Sequence, residues 1–294
     1  MLFRSVSEWP KGQRANDMSV EDFKRLIDEQ VGLVEIKLQG MGEPTMAGDA
    51  LFEMIAYARR RHIWVRTTTN ASLLHLRDNY RKIVDSGVNE LQVSIDGADA
   101  ETFQAIRPGS VFKRVVENCR LLNAYSAQQG VVCAKMWTVI QRRNVHQLHA
   151  LVDLAADLGF KSQAFSLDLT DWGQERWRDL TTREYAVEDI DRSLGWELFE
   201  TGRRQGVKVA FWKIGAKFDA ADRNNLCTWP FERAYVSSDS RVTPCCMIAN
   251  PDALDMGRID NGFTSVWRSE AYRKFRDDHL NGRPPSVCRN CFKQ

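Results

Sequence analysis

The amino-acid sequence predicts an α/β fold: a partial (β/α) TIM-type barrel followed by a small, cysteine-rich C-terminal domain. Apolar strand segments alternate with amphipathic helices of about 10–15 residues, a pattern typical of parallel βαβ units. Five such strands follow one another with short loops, which favours a barrel over an open sheet. Five of the seven cysteines follow residue 226. We therefore place the barrel-like domain at residues 1–215 and the cysteine-rich domain at residues 216–294.

The predicted elements follow in a regular order. A helix begins after Ser19, whose hydroxyl is a typical N-cap. The predicted strands are residues 33–38, 63–67, 90–95, 131–140, 160–167 and 207–212. The predicted helices lie near residues 51–58, 76–86, 100–106, 111–125, 145–158 and 189–205. In a barrel of this kind, functional side chains lie on the loops at the carboxyl ends of the strands.

The composition narrows the classes of partner and location. The chain has 43% hydrophobic and 27% charged residues, as ordinary globular proteins do. Its net charge of +2 gives no electrostatic basis for nucleic acid or membrane as the main partner. No apolar run approaches the length of a membrane span, and no secretory h-region opens the sequence. We expect a cytoplasmic protein, in which thiols stay reduced and clustered cysteines favour metal over disulfides.

The C-terminal cysteines are the strongest metal-binding pattern in the sequence. Cys288 and Cys291 form a C-x2-C pair, and Cys227 and Cys245 precede it singly. Four thiolates delivered in this way can hold zinc tetrahedrally or ligate an iron–sulfur cluster. The alternative is a set of buried, inert cysteines, although a C-x2-C beside prolines and a positive charge is poor core material. Cys246 points away from its neighbour in extended backbone and is not expected to bind the same ion.

A glycine-rich motif follows the first predicted strand. It reads Gly40-Met41-Gly42-Glu43-Pro44. Two glycines allow the backbone to approach a ligand closely, and a carboxylate can accept hydrogen bonds from a cationic group such as the ammonium of an amino acid. An ordinary glycine turn with a surface glutamate is an equal alternative.

Polar residues also follow the next strands. Ser94 and Asp96 lie two positions apart, on one face of a strand end, where they suit ribose hydroxyls; the alternative for Asp96 is a cap before Gly97. Asn70 lies at another strand end, with turn chemistry as an equal explanation. Lys135 lies within an apolar strand, where it either lines the barrel or faces the outer surface.

With these motifs the chain resembles the radical SAM superfamily, specifically members with a C-terminal SPASM or twitch domain. The resemblance covers nearly the whole chain and implies a partial barrel that holds S-adenosylmethionine (SAM). The residues implied to hold SAM are Gly40, Gly42, Glu43, Pro44, Asn70, Ser94, Asp96 and Lys135. Of these, the glycine-rich motif would contact the methionyl amino group, and Ser94 and Asp96 the ribose or carboxylate.

The resemblance also gives the cysteines a role. Their spacing is similar to that of the twitch version, which binds one auxiliary 4Fe–4S cluster, whereas a full SPASM domain has seven cysteines and usually two such clusters. The implied ligands are Cys227, Cys245, Cys288 and Cys291. One departure lies five residues before Cys245, where Ser240 stands in place of the family's glycine.

A larger departure concerns the family's catalytic 4Fe–4S cluster. The family holds that cluster with a C-x3-C-x2-C loop after the first barrel strand, and no cysteine precedes Cys119 in this sequence. The two interpretations are a fragment that lacks the first strand and loop, and a degenerate homologue. The first is favoured because the other cofactor motifs are intact. A catalytic cluster is expected only if the missing loop exists.

The function implied by the resemblance is radical SAM chemistry, in which a 5′-deoxyadenosyl radical abstracts hydrogen and a small molecule or peptide is oxidised or modified. It also implies an electron donor such as flavodoxin or ferredoxin. Two rival hypotheses are a catalytically inactive binding or scaffold protein with a retained cysteine cluster, and a four-thiolate zinc domain on a barrel.

Overall fold

A six-stranded parallel sheet forms the larger part of the protein. The computed structural model describes residues 17–40, 42–167, 175–186, 190–212 and 218–292. The strands are β1 (Glu35–Leu38), β2 (Trp64–Thr69), β3 (Glu90–Ser94), β4 (Ala134–Val139), β5 (Ser162–Ser166) and β6 (Lys208–Trp212). They lie in sequence order, and every neighbouring pair is parallel. This confirms the predicted α/β fold and is consistent with a partial barrel.

The helices follow the order that the hydrophobic pattern predicts, except that the helix at residues 175–184 was not predicted. They are α1 (Val20–Asp28), α2 (Asp49–Arg60), α3 (Asn79–Asp85), α4 (Ala100–Ile106), α5 (Phe112–Gln128), α6 (Leu148–Asp157), α7 (Glu175–Glu184) and α8 (Arg192–Gln205). The predicted N-cap of α1 is confirmed, because the Ser19 side chain accepts a hydrogen bond from the Asp22 N–H at 3.0 Å. Among the described residues, none of the helices is both long and apolar enough to cross a membrane.

Several predicted elements start later in the structure than the sequence pattern predicts, and the reason is visible for two of them. The helix predicted from residue 76 begins as a short 3-10 turn, and α3 starts only at Asn79 because Arg77 and Asp78 adopt left-handed conformations, with φ of 50° and 58°. The strand predicted from residue 131 starts at Ala134, because Val131 and Val132 are exposed rather than paired. Apolar content alone does not mark these boundaries.

The two faces of the sheet have opposite character. Register aligns Arg66 with Glu90 and Gln92 with Lys135, so one face carries charged and polar side chains. The other face is apolar and buried; it includes Val65, Leu91, Val93, Met136 and Phe165. Helices α2, α6 and α8 pack beside β2, β5 and β6. The hydrophobic core therefore lies against the apolar face of the sheet, and the polar face is not part of this core.

Gly97 is required where β3 leads into α4. A Cβ at this position would lie 2.4 Å from the Phe103 backbone nitrogen, closer than real Cβ contacts come. This close approach fixes the turn that follows Ser94 and Asp96 and holds both residues at the carboxyl end of the sheet.

The chain divides into a sheet unit, which includes Gly32–Leu169 and Arg183–Trp212, and a cysteine-bearing unit, which includes Ala15–Val31 and Lys213–Gln294. Helix α1 belongs to the cysteine-bearing unit, where the Phe263 N–H donates to Glu29 Oε2 at 2.9 Å. The predicted domain boundary near residue 215 stays a prediction.

The cysteine-bearing unit is built from short elements. They are α9 (Trp229–Glu232), the antiparallel pair β7 (Tyr235–Val236) and β8 (Val242–Thr243), α10 (Phe263–Trp267), α11 (Glu270–Leu280) and a 3-10 segment, Ser286–Cys291. Its core consists of Val242, Met256, Val266, Tyr272 and Phe275. At Ser240, where the family has glycine, φ is +66°, a left-handed conformation that glycine adopts more easily.

Candidate cofactor and cluster sites

Glu43 joins the loop after β1 to the carboxyl end of β2. Its Oε1 accepts the Thr45 N–H at 3.3 Å and the hydroxyls of Thr45 and Thr69, each at 2.7 Å. Its Oε2 accepts the Asn70 N–H at 2.7 Å. The carboxylate is thus held in one orientation by two neighbouring strand ends.

The two oxygens of Glu43 are used unequally. Three donors converge on Oε1, whereas within the described part of the chain the Asn70 N–H is the one donor to Oε2. A carboxylate oxygen has two acceptor directions. Oε2 therefore keeps one direction that an external N–H group can fill.

The glycines of the motif leave space beside Glu43. A Cβ added to Gly42 would meet nothing within 4 Å, and one added to Gly40 would meet only the Gly42 nitrogen, at 3.8 Å. Pro44 begins a 3-10 turn whose N-cap is Glu43. Met41 lies outside the described residues. Among the described residues, no side chain blocks a ligand from approaching the backbone of Gly40 and Gly42.

Ser94 and Asp96 have different surroundings, although both lie at the end of β3. Ser94 is half-buried, and its hydroxyl has no hydrogen-bond partner in the described ranges. Asp96 is fully buried: its Oδ1 accepts the Val139 N–H at 2.8 Å, and its Oδ2 lies 2.6 Å from Arg107 Nη2. Burial opposes ionisation of Asp96, but Arg107 and the Val139 N–H outweigh it and lower its pKa. Asp96 therefore holds β3, β4 and α4 together.

Asn70 and Lys135 are also engaged within the protein. The Asn70 Oδ1 accepts the Ser72 N–H at 2.8 Å, which is the turn chemistry that the sequence left open. Lys135 Nζ lies 2.6 Å from Glu90 Oε2 on the polar face of the sheet. Lys135 is aligned with Gln92 and therefore lies two positions before the strand end that Ser94 marks. The structure does not bring Lys135 to the carboxyl edge with the other predicted residues.

Glu90 is the centre of this charged group. Besides Lys135, it contacts Arg66, with 2.9 Å between Arg66 Nε and Glu90 Oε1. This contact is ionic rather than an aligned hydrogen bond, because the buried Arg66 Nε has no hydrogen-bond partner within the described ranges. Gln92 Nε2 donates to Glu90 Oε1 at 2.8 Å. This charged group explains how an otherwise apolar strand can contain Lys135, since Glu90 balances the charge of the lysine.

Gln141 is a candidate that sequence reasoning missed. It lies two residues after the end of β4 and is fully buried, and neither its Oε1 nor its Nε2 has a hydrogen-bond partner in the described part of the chain. Its backbone is fixed, since the Gln141 N–H donates to Asn144 Oδ1 at 2.8 Å and Asn144 Nδ2 donates to the Asp96 carbonyl at 2.9 Å. A glutamine directly after Val139-Ile140 at a strand end was the available signal.

The four predicted cluster ligands are half-buried thiols in the cysteine-bearing unit. Burial, then the proximity of Cys291 and Cys227, raises the pKa of Cys288 to about 12. Burial, then Cys246 and with smaller effect Cys291, also raises the pKa of Cys245, against the Met247 N–H, which donates to its Sγ at 3.2 Å. These interactions link all four predicted ligands in one neighbourhood.

The remaining cysteines are separate from this neighbourhood, except Cys246. Cys119 and Cys133 are buried in the sheet unit. Burial raises the pKa of Cys119 to about 12, and Cys133 Sγ lies 3.9 Å from Ser126 Oγ. Both therefore belong to the buried core of that unit. Across the described ranges, no three His, Cys, Asp or Glu side chains form a ready-made site for a metal ion.

Two family models match this chain. The radical SAM superfamily matches residues 3–155, more than half of the chain, and the iron–sulfur cluster-binding SPASM domain matches residues 227–292. The protein therefore belongs to the radical SAM superfamily and carries a C-terminal SPASM domain. The cofactors of this class are SAM and 4Fe–4S clusters.

Proteins of similar sequence include a maturase, a heme synthase and a peptide cyclase. The mycofactocin maturase MftC of Mycolicibacterium smegmatis is 31% identical over 94% of this chain and 68% of its own length. The AdoMet-dependent heme synthase of Methanosarcina barkeri is 26% identical over 94% of this chain and 83% of its own. The PqqA peptide cyclase of Bradyrhizobium diazoefficiens is 19% identical over 94% of this chain and 70% of its own.

Solved structures share the fold. The enzyme anSMEcpe with bound AdoMet aligns over 100% of this chain and 86% of its own, with a TM-score of 0.64 and 16% identity. Streptococcus suis SuiB bound to its precursor peptide SuiA aligns over 94% of this chain and 70% of its own, with a TM-score of 0.66 and 14% identity.

The residues present fit two of these cofactors. A free acceptor direction on Glu43 beside open glycine backbone suits a ligand with an ammonium group, and the Ser94 hydroxyl suits a polar ligand group. Four neighbouring thiols suit a cluster with four cysteine ligands.

Proposed function

We propose that this chain provides the SAM-binding and auxiliary-cluster parts of a radical SAM enzyme that modifies a peptide or a small molecule. When bound, SAM supplies the hydrogen-abstracting chemistry of the family. Family membership and the three similar enzymes support the class of reaction. An electron donor of the flavodoxin or ferredoxin type belongs to the same proposal.

A peptide is the substrate class that we favour within this proposal. Two of the similar proteins are a mycofactocin maturase and a PqqA peptide cyclase, and the name of the second specifies a peptide. The heme synthase among the relatives is the reason to retain a small molecule as the second candidate.

The observation that carries the proposal is the unequal use of the Glu43 oxygens. Oε1 is occupied by three donors that hold the carboxylate still, and Oε2 keeps a direction beside the open backbone of Gly42. A fixed carboxylate at a strand end binds an ammonium group by a charge-assisted hydrogen bond, which contributes about 1.5–3 kcal/mol. The methionyl ammonium of SAM is the ligand group proposed for this position.

The test measures SAM binding directly, by equilibrium dialysis with labelled SAM. Glu43→Gln should weaken binding by about 10- to 100-fold, because it removes the charge and replaces one acceptor by a donor. Thr69→Val is the matched control: it removes one of the three donors to Oε1 but leaves the carboxylate charged. Equal affinity of wild type and Glu43→Gln would refute the role of Glu43.

The catalytic cluster is a separate part of the proposal. The 294-residue sequence has no cysteine before Cys119, and Cys119 is fully buried in α5. The three thiolates of a C-x3-C-x2-C loop are therefore not among these residues. We expect no 5′-deoxyadenosine from these residues after anaerobic reconstitution with iron, sulfide, SAM and dithionite. Its formation would show that cluster ligation in this chain differs from the family pattern.

A further inference from the structure

Arg276 is held in an unusual environment in the cysteine-bearing unit. It lies on α11, and its Nε donates to the Pro230 carbonyl at 2.8 Å while its Nη1 donates to the Trp267 carbonyl at 2.9 Å. The guanidinium carbon lies over the rings of Trp267 and Tyr272, 4.1 and 4.4 Å from their centres. The cation is thus fixed by two hydrogen bonds and two aromatic faces.

The third guanidinium nitrogen of Arg276, Nη2, differs from the other two. Arg276 Nη2 is buried and, among the residues that the structure describes, has no hydrogen-bond partner. An unsatisfied buried donor costs about 1–3 kcal/mol, and more when the group is charged. Because the other two nitrogens are anchored, the guanidinium cannot turn to expose Nη2 without breaking those bonds. A partner that completes this site would therefore be an acceptor, preferably an anionic one.

Three of the predicted cluster ligands lie near the residues that surround Arg276. Pro230 follows Cys227 by three positions. Cys288 and Trp267 both pack against the apolar core that contains Tyr272. Burial is the main cause of the raised pKa of Tyr272, and Cys245 adds to it. The surroundings of Arg276 are thus also the surroundings of the thiols.

We propose that Arg276 sets the reduction potential of the auxiliary cluster, through its fixed charge and its uncommitted Nη2 donor. This inference rests on the assignment of Cys227, Cys245, Cys288 and Cys291 as cluster ligands. A 4Fe–4S cluster with four thiolates carries about two negative charges when oxidised and about three after one-electron reduction, and its potential depends on nearby charge and on hydrogen bonds to sulfur. A buried cation stabilises the more negative state and so raises the potential.

The test is a redox titration of the reconstituted full chain, monitored by the EPR signal of the reduced cluster. Arg276→Met removes the charge, Arg276→Lys keeps it, and Arg273→Met is the matched control because Arg273 is an exposed arginine on the same helix. At a fixed potential, we expect Arg276→Met to lower the ratio of reduced to oxidised cluster at least tenfold, a shift of about 59 mV for one electron. Arg276→Lys should remain close to wild type, and Arg273→Met should not change.

The outcomes separate this inference from the cluster assignment. A wild-type chain without iron and sulfide refutes the assignment and the inference together. Clusters of normal iron content with equal potentials in wild type and Arg276→Met refute the inference alone. Equal shifts in Arg276→Met and Arg276→Lys show that Arg276 acts through packing rather than charge, which also refutes it. Arg276→Gln is a second neutral variant that can still donate to the Pro230 carbonyl, in case Arg276→Met does not fold.

Discussion

The carboxylate of Asp96 and the guanidinium of Arg107 form a buried ion pair at the carboxyl end of β3. Arg107 Nη2 and Nε lie 2.6 and 2.8 Å from Asp96 Oδ2, and Asp96 is completely inaccessible to solvent. The family resemblance implies that Asp96 is one of the residues that hold SAM, and this stays a prediction. Its position at the correct strand end does not by itself assign that role, because both of its oxygens already contact other parts of the sheet unit.

Breaking this pair should destabilise the protein strongly. Arg107→Met leaves the Asp96 charge buried without its partner, and removal of one member of such a pair costs about 3–5 kcal/mol. Urea unfolding measures the change. The Asp96→Asn/Arg107→Met double variant should recover part of the loss, since no charge then remains buried. Arg203→Met is the control, because the Arg203–Glu200 pair is exposed and should contribute little. An Arg107→Met variant as stable as Arg203→Met would contradict this account.

The same ion pair should make the free energy of unfolding depend on pH in the acidic range. The pKa of Asp96 in the folded state lies below its ordinary value of about 3.9. The contribution of Asp96 to the free energy of unfolding is therefore fully present above the ordinary pKa. It is lost as the pH falls through the lower pKa of the folded state. Wild type should lose more unfolding free energy than Asp96→Asn when the pH falls below about 4. Between pH 7 and 5 the difference between the two proteins should be constant, and a change within that interval would show that another group is responsible.

Gln141 should be replaceable without loss of stability. Gln141→Met keeps the length of the side chain and removes two buried groups that have no partner, so the thermal midpoint of the ligand-free protein should stay the same or rise. Gln163→Met is the contrasting variant, because Gln163 is equally buried but its Nε2 donates to Thr138 Oγ1 at 2.9 Å. That variant should lower the midpoint. A lower midpoint for both variants would mean that Gln141 is satisfied in solution, for example by water.

Ser240→Gly should stabilise the protein. A left-handed conformation costs an ordinary residue about 1–2 kcal/mol relative to the right-handed form, and glycine avoids this cost. Part of the gain is offset because glycine makes the unfolded chain more flexible, so we expect a net gain of about 0.5–1 kcal/mol in the unfolding free energy. Ser238→Gly, in the same turn but without a positive φ, is the control and should not stabilise. Equal effects of both changes would indicate a general effect of glycine in this turn and not relief of the positive φ at Ser240.

Adjacent cysteines should differ in their effect on the cluster. Cys245→Ser should lose most of the iron and sulfide that the reconstituted wild type holds, about four of each per chain. Cys246→Ser should keep them, because the predicted ligand set contains Cys245 and not Cys246. The extended backbone assumed from the sequence is not the reason, since Cys246 lies in a turn and interacts electrostatically with Cys245. Metal analysis after anaerobic reconstitution measures both. Loss of iron from both variants would contradict the ligand assignment, and one zinc per colourless wild-type chain would favour the four-thiolate zinc alternative.

The sequence by itself determined the order and type of the elements in the sheet unit. Alternating strands such as 90–95 and amphipathic helices such as 145–158 are patterns of successive residues, and burial of one face enforces them locally. It also located Glu43 and Ser94 at strand ends, because parallel strands all present their carboxyl ends at one edge. Left-handed residues at Arg77 and Asp78 were not predictable, since nothing in their side chains requires that conformation.

Only the tertiary structure decided which polar side chains are already engaged. Strand phase is the same for a residue that binds a ligand and for one that binds a neighbouring strand. It therefore did not report that Asp96 pairs with Arg107 or that Lys135 pairs with Glu90, and the predicted SAM contacts of Asp96 and Lys135 stay predictions. Those partners lie 11 and 45 positions away in the chain, a separation that local pattern does not report. The same holds for Gln141 and Arg276, whose unpartnered atoms become visible only when every neighbour is in place.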